Sequence, residues 1–301
     1  FPGRGRRAED RRKGPVVVEI EIGKGKTARR AYGLDDVTIV PSRRTRDADD
    51  VDTSWKIDAY RFDLPVLTSG GLEPLTADAA ADAGRSGTLA VLDLAPFAED
   101  AGPLKELVAG LHEDGHRVAA RCSPRKARER VPDALAAEVD VLVIQGDIVS
   151  AEHVSRTSEP LNLKTFIREL DLPVIVGGCA SHAAALHLMR TGAAGVLVGI
   201  DRADLGVGVP LATALADARS ARVRHLDESG VYCHVIGVGG VRSGADVAKA
   251  IACGADAVMV GTESVENSAA EGLAELLRRA MATCGYTDLK SFQKADLMVA
   301  P

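Results

Sequence analysis

The sequence predicts an α/β fold, a (β/α)8 TIM barrel with an N-terminal extension, and three observations carry that prediction. Short apolar, β-rich runs recur eight times between Leu64 and Thr262. The segments between them are rich in Ala, Leu, Glu and Arg and read as helices. Aromatic residues make up only 3% of the 301-residue chain, which suits helices packed on parallel strands better than an antiparallel sandwich. Buried runs alternating with helical spacers mean parallel strands joined by crossovers, and eight strands are enough to close a barrel. A doubly wound open sheet is the alternative, but no GxGxxG follows the first strand.

Taken in order, the chain opens with a basic, glycine-rich run from Phe1 to Pro15 that reads as a solvated tail, or else as an anion- or partner-binding arm. Because the sequence starts with Phe1 rather than Met, the true N-terminus is expected upstream. Residues Val16–Ile22 (VVVEIEI) alternate in the period-2 manner of a strand, expected outside the barrel. This gives a basic tail and outer strand over 1–22 and a single barrel domain over 23–301.

The eight expected barrel strands are LPVLT (64–68), LAVLD (89–93), RVAARC (117–122), VLVIQG (141–146), PVIVGG (173–178), AGVLVGI (194–200), HVIGVGG (234–240) and AVMVGT (257–262). The clearest helices are expected around Ala77–Ala83, Leu104–Asp114, Pro124–Ala137, Ala183–Thr191, Leu211–Asp227 and Ala245–Cys253. A short helix is expected over Leu161–Leu170. Another, over Glu271–Ala282, has Gly285 as its C-cap, and a packing tail follows over Tyr286–Pro301.

Composition narrows the function. A formal charge of −6 argues against nucleic-acid binding. The five scattered cysteines form neither a metal-ligand nor a disulfide spacing, which points to buried thiols in a reducing cytoplasm. No apolar run reaches the roughly 20 residues that would cross a bilayer, and no signal peptide is visible. The stretch Val231–Thr262 carries the main functional signal, because its seventh and eighth strand runs end in Gly239-Gly240 and Gly261-Thr262. Glycine turns there let backbone N–H groups approach an anion, in the place where barrels often hold phosphate. Gly239, Gly240, Gly261 and Thr262 are therefore the expected phosphate-binding residues, with plain tight turns as the other reading.

Several stretches give the chain a family likeness. They are GKGKTARRAYGLDDVTIVPSRRTRDADDVDTSW (23–55), LNLKTFIRELDLPVIVGG (161–178), ALHLMRTGAAGVLVG (185–199), VGVPLATALADA (207–218) and CGYTDLKSFQKADLMV (284–299). With these the chain resembles the IMP dehydrogenase/GMP reductase family, and within it the third actinobacterial paralogue. The resemblance implies a barrel that binds a purine nucleotide or other phosphate-bearing ligand. It also implies NAD(P)-linked oxidoreduction of IMP and a cytoplasmic homotetramer, while the charge and the apolar-run lengths leave no nucleic-acid or membrane partner expected.

The residues for that chemistry depart from the family's pattern. In the family the loop after the sixth strand holds a catalytic cysteine. Here Ile200–Leu205 is short and contains no Cys, Ser or Thr before Gly206-Val207-Gly208-Val209-Pro210. A covalent thioimidate route needs a thiolate at that place. The family's ribose-gripping aspartate is replaced by Val238, and its proline-methionine-aspartate turn by Ser69-Gly70-Gly71-Leu72-Glu73. The turn Gln145-Gly146-Asp147 lacks the expected nicotinamide-ribose carboxylate, and Glu263–Ala270 is too short for the family's flap.

The weak catalytic candidates are Cys179, at the end of the fifth strand, and Asp147, after the fourth; Asp93 after the second is a further carboxylate at a strand end. Asp201, Arg202 and Asp204 stand where the catalytic loop would be and read as a charged turn. Cys233, Cys253 and Cys284 read as packing residues and His112 and His116 as surface. His182 and His187 lack metal-site spacing, so no metal is expected. The expected function is a family barrel that keeps phosphate-ligand binding while oxidoreductase turnover is lost or altered. The alternatives are an oxidoreductase using FMN or another phosphate ligand, and a non-catalytic partner of a competent IMP dehydrogenase.

Overall fold

A computed structural model describes residues 19–71, 73–151, 161–262 and 270–299; the side chains of residues 201–203, 270 and 271 fall outside that description. The basic run 1–15, Leu72 and most of the interval 263–270 also lie outside the described residues. The chain divides into two compact units, with the boundary between Ala31 and Tyr32. In the first, β1 (Glu19–Gly23) and β2 (Lys26–Arg29) pair antiparallel as a two-stranded hairpin.

The second unit is a closed eight-stranded parallel barrel. Before it come β3 (Val37–Ile39), β4 (Trp55–Ile57) and β5 (Tyr60–Phe62). The barrel strands then alternate with helices: β6 (Val66–Ser69), α1 (Ala77–Arg85), β7 (Leu89–Asp93), α2 (Gly102–Glu113), β8 (Val118–Cys122), α3 (Ala127–Ala136) and β9 (Val141–Gln145). After α4 (Leu163–Arg168) the chain continues through β10 (Val174–Cys179), α5 (His182–Met189) and β11 (Gly195–Val198). A small hairpin, β12 (Ile200–Arg202) with β13 (Val207–Val209), leads into α6 (Leu211–Ser229). Then follow β14 (His234–Val238), α7 (Gly244–Ala252) and β15 (Ala257–Gly261). Last come α8 (Ala270–Thr283), α9 (Leu289–Phe292) and β16 (Leu297–Val299).

Closure occurs between the last and first barrel strands, with Val258 opposite Val66 and Gly261 opposite Ser69. All eight expected runs form these strands. The physical reason is that a parallel barrel strand is covered on both faces, by the interior and by the outer helices, so its sequence is apolar throughout. Val141, Leu142, Val143 and Ile144 of β9 are wholly inaccessible, as are Val235 and Ile236 of β14. Each such side chain contributes about 1.5–3 kcal/mol by leaving water. The expected helices form with small shifts at their ends, and Gly285 ends α8 in the left-handed region, φ +79°.

Two additions outside the barrel pattern matter for the site. The tail strand β16 pairs antiparallel with β3, and the segment between Tyr32 and Asp36 thereby runs beside α6 and α7. The Tyr32 backbone amide donates to the Thr213 hydroxyl oxygen at 2.8 Å, and Lys249 donates to the Leu34 carbonyl at 2.9 Å. At the opposite end of the barrel, Trp55 of the β4–β5 hairpin stacks on Phe62 and meets His234 edge-on, with ring centroids 5.8 Å apart.

Candidate functional site

The C-terminal ends of the strands open into a cavity of about 840 Å³. Its walls are the turns after β9, β10, β11 and β14, the β13–α6 junction, and Gly33, Leu34 and Asp35 from the segment before β3. Backbone forms much of the surface. Gly239 and Gly240 have φ of +84° and +68°, and a Cβ on either would meet no atom within 4 Å. The two glycines therefore hold a left-handed turn that is open to the cavity, and a larger residue there would project into ligand space. The following helix α7 has Ser243 as its N-cap, accepting from Asp246, while the Asp246 carboxylate accepts from the Arg242 amide at 3.0 Å. Arg242 and Val238 complete this wall.

The other pair of expected phosphate residues is placed differently. Gly261 faces Gly71 so closely that a Cβ would lie 3.1 Å from its Cα, and the Thr262 hydroxyl donates to the Gly70 carbonyl at 3.5 Å. Gly239 and Gly240 line the cavity; Gly261 and Thr262 close on the turn after β6 and are absent from its walls.

Where a long loop could follow β11, the chain makes a tight hairpin instead. Ile200 pairs with Val209, Asp201 with Gly208 and Arg202 with Val207, around a left-handed Gly206. Gly199 starts the hairpin because its Cβ would collide with the Val238 carbonyl of the neighbouring strand end. The charged turn expected here is thus a short antiparallel ladder; the side chains of Asp201 and Arg202 lie outside the described residues.

Cys179 is 1% exposed and its Sγ donates to the Leu197 carbonyl at 3.4 Å. Burial pushes its thiol up to about 12, so at neutral pH it carries almost no thiolate. Cys122 is likewise held at about 12, by burial and then by the Asp93 charge, and Cys253 at about 11 by burial. Asp147 sits exposed on the cavity wall. Asp93 is engaged, accepting from Arg121 Nε at 3.1 Å and from the Ala95 amide at 2.9 Å.

A second hollow of about 440 Å³ adjoins the first over the ends of β7, β8 and β9, lined by Asp93, Arg121, Ser123, Lys126 and Arg130 among others. Gln145 borders both, and its buried Oε1 has no hydrogen-bond partner among the described residues. No local sequence signal marks Asp35 and Arg242, which line the mouth from segments 207 residues apart. His112, expected at the surface, instead lies in α2 and bonds Asp140 through Nε2 at 2.9 Å. His182 and His187 stand on α5, and no three of His, Cys, Asp and Glu gather as a metal site among the described residues. Among the described residues no helix is long and apolar enough to cross a membrane.

Comparison with known proteins accords with this architecture. Residues 31–275 match the model of the IMP dehydrogenase / GMP reductase domain. A Mycolicibacterium smegmatis protein named as an uncharacterized oxidoreductase is 41% identical over 372 residues, covering 93% of this chain and 99% of the relative. About 280 residues of this chain thus span an alignment of 372 positions, so the relative carries stretches with no counterpart here. The inosine-5'-monophosphate dehydrogenase of Methanocaldococcus jannaschii is 36% identical over 152 residues, covering 48% of this chain and 29% of that one. The crystal structure of an IMP dehydrogenase/GMP reductase-like protein from Corynebacterium glutamicum superposes with a TM-score of 0.84 at 36% identity, covering 94% of this chain and 98% of that chain.

Proposed function

The chain belongs to the IMP dehydrogenase/GMP reductase family, and we propose that it binds a purine nucleotide or another phosphate-bearing ligand in the mouth cavity while ordinary IMP oxidation is lost or altered. The observation that carries the reading is the pairing of an open Gly239-Gly240 turn with a hairpin that holds no nucleophile. Backbone amides can hold a phosphate without any reactive side chain. A covalent route needs a thiolate within reach of the bound base, and the one cysteine at this end of β10, Cys179, is buried with its thiol proton held. Gly261 and Thr262 contribute, in this reading, by shaping the neighbouring turn.

The relatives are named as oxidoreductases, so a nicotinamide dinucleotide is the cofactor to test first. Asp93, Ser123, Lys126, Arg130 and Gln145 in the adjoining hollow would hold it. Bound there, it would supply hydride transfer; Gln145, shared by both hollows, would orient the two ligands against each other. Asp147, at the mouth, is the carboxylate best placed to accept a hydrogen bond from a ligand hydroxyl or ring N–H. A homotetramer in the cytoplasm completes the proposal, on family grounds.

Thermal-shift screening with IMP, GMP, XMP, NAD and FMN, followed by an assay for NADH formation from IMP, tests it. A rise in Tm with a phosphate ligand and no NADH is the expected result. Ready IMP oxidation would overturn the catalytic half; no response to any phosphate ligand would overturn the binding half. Flavin absorbance in the purified protein would favour the FMN reading instead.

A further inference from the structure

Among the described residues the charged side chains on the cavity wall are Asp35, Asp147 and Arg242, so one cation stands there with two carboxylates. Arg242 Nη2 donates to both oxygens of Asp35, at 2.8 and 2.9 Å. The pair lies in water: the two side chains are 65% and 76% exposed. A single guanidinium nitrogen makes both contacts, so Nε and Nη1 remain for another acceptor. The backbone at Arg242 is fixed separately, by its amide bond to Asp246 and by the Ser243 cap of α7. Asp35 is fixed separately too, in the turn Leu34–Asp36 that Lys249 ties to α7. Either side chain can therefore change partner without either turn unfolding.

We infer that Arg242 is the side chain that takes the phosphate of the cavity's ligand, and that Asp35 is a resident competitor which the phosphate displaces. The inference rests on the phosphate reading of the site. An exposed ion pair of this kind is weak in water. A phosphate carries more charge than a carboxylate, and the guanidinium fork fits its oxygens bidentately, so exchange of partners favours the ligand. Asp35 stays in the mouth after the exchange and repels the incoming anion. It thereby raises the ligand concentration at which the cavity fills, and its effect falls on the phosphate rather than on the base or sugar.

The test uses the full chain and isothermal titration with IMP, GMP and the nucleoside inosine, on wild type, Asp35→Asn, Arg242→Gln and Gly240→Val. Asp35→Asn is expected to tighten IMP or GMP binding about fivefold and to leave inosine unchanged. Arg242→Gln is expected to weaken nucleotide binding about tenfold, again without effect on inosine, and to flatten its salt dependence. Nucleotide binding that Gly240→Val abolishes but Arg242→Gln leaves intact would overturn this inference while the phosphate reading stands. Weaker nucleotide binding in Asp35→Asn would make Asp35 a positioning partner and overturn the competitor role. If no variant, Asp35→Asn included, binds either nucleotide, the phosphate reading and the inference fall together.

Discussion

Asp140 and Asp256 hold the same place in two strand pairs on opposite sides of the barrel. Asp140, just before β9, receives the Val118 amide on its carboxylate at 2.9 Å and returns its own amide to the Val118 carbonyl at 2.9 Å. Asp256, just before β15, does the same with Val235, at 2.8 and 2.7 Å. Three strands lie between β9 and β15 either way round the barrel, so each half of the barrel floor is pinned by one carboxylate. Their remaining partners differ. Asp140 meets His112 and a half-exposed Arg117, whereas Asp256 is enclosed by Arg222 at 2.5 Å, the Tyr232 hydroxyl at 2.6 Å and Gln293 at 2.9 Å.

The difference predicts unequal losses. Asp256→Asn leaves the Arg222 guanidinium, 6% exposed, without its counter-charge and should destabilise the fold by about 3–5 kcal/mol. Asp140→Asn should cost about 1–2 kcal/mol, because Arg117 reaches water. Chemical denaturation of the two variants checks the order.

Acid should act on the same residue. Burial alone would raise the Asp256 carboxyl, but Arg222, His234, the Tyr232 hydroxyl and the Val235 amide together hold it below the usual carboxylate range. A lowered folded pKa means the stabilisation is complete above the unfolded value of about 3.9 and is lost as pH falls toward the folded one. Unfolding free energy should therefore decline below about pH 4, and Asp256→Asn should show less of that decline.

His234 sets a second, milder window. Burial lowers its pKa, against the pull of Asp256, so the folded state keeps the ring neutral. Stability from this source is complete above the unfolded pKa of about 6.5 and falls with acidification below it. His225 shifts the same way, by burial and then the Arg190 charge. A Tm measured from about pH 7.5 to about pH 5.5 should fall, and His234→Gln should flatten part of the slope.

The thiols should be silent. Cys122, Cys179, Cys233, Cys253 and Cys284 are all buried, and burial raises every one. The native protein is expected to release less than one equivalent of thionitrobenzoate with a disulfide reagent, and all five after denaturation. Cys179→Ala should leave any ligand-induced Tm rise unchanged; its loss would restore Cys179 to the site.

The open glycine turn gives the sharpest separation of folding from binding. Gly240→Val places a branched side chain at φ +68° with no atom within 4 Å of its Cβ. Backbone strain should cost about 1–3 kcal/mol while the fold persists, and the nucleotide-dependent rise in Tm should vanish.

The barrel was legible in the sequence because its strands are buried on both faces and read as unbroken apolar runs, LAVLD and VLVIQ among them. The hairpin after β11 was not. Its strands, Ile-Asp-Arg and Val-Gly-Val, are three residues each, and so short a stretch leaves no period to read. Gly239 and Gly240 could be placed on a cavity from their position after a strand. Asp35 and Arg242 could not be joined, since nothing local links residues so far apart; the pairing follows from the route that β3, α7 and the tail impose together.

The antiparallel ladder of β3 with β16 has a mechanical consequence. Val37 stands opposite Val299 and Ile39 opposite Leu297, and the Val40 amide bonds the Asp296 carbonyl at 2.9 Å. Tension applied between Tyr32 and Val299 would load this seam from one end and open it bond by bond, as a zipper rather than in shear. The seam should give way at low force, before any barrel strand moves, and the segment carrying Asp35 would loosen with it.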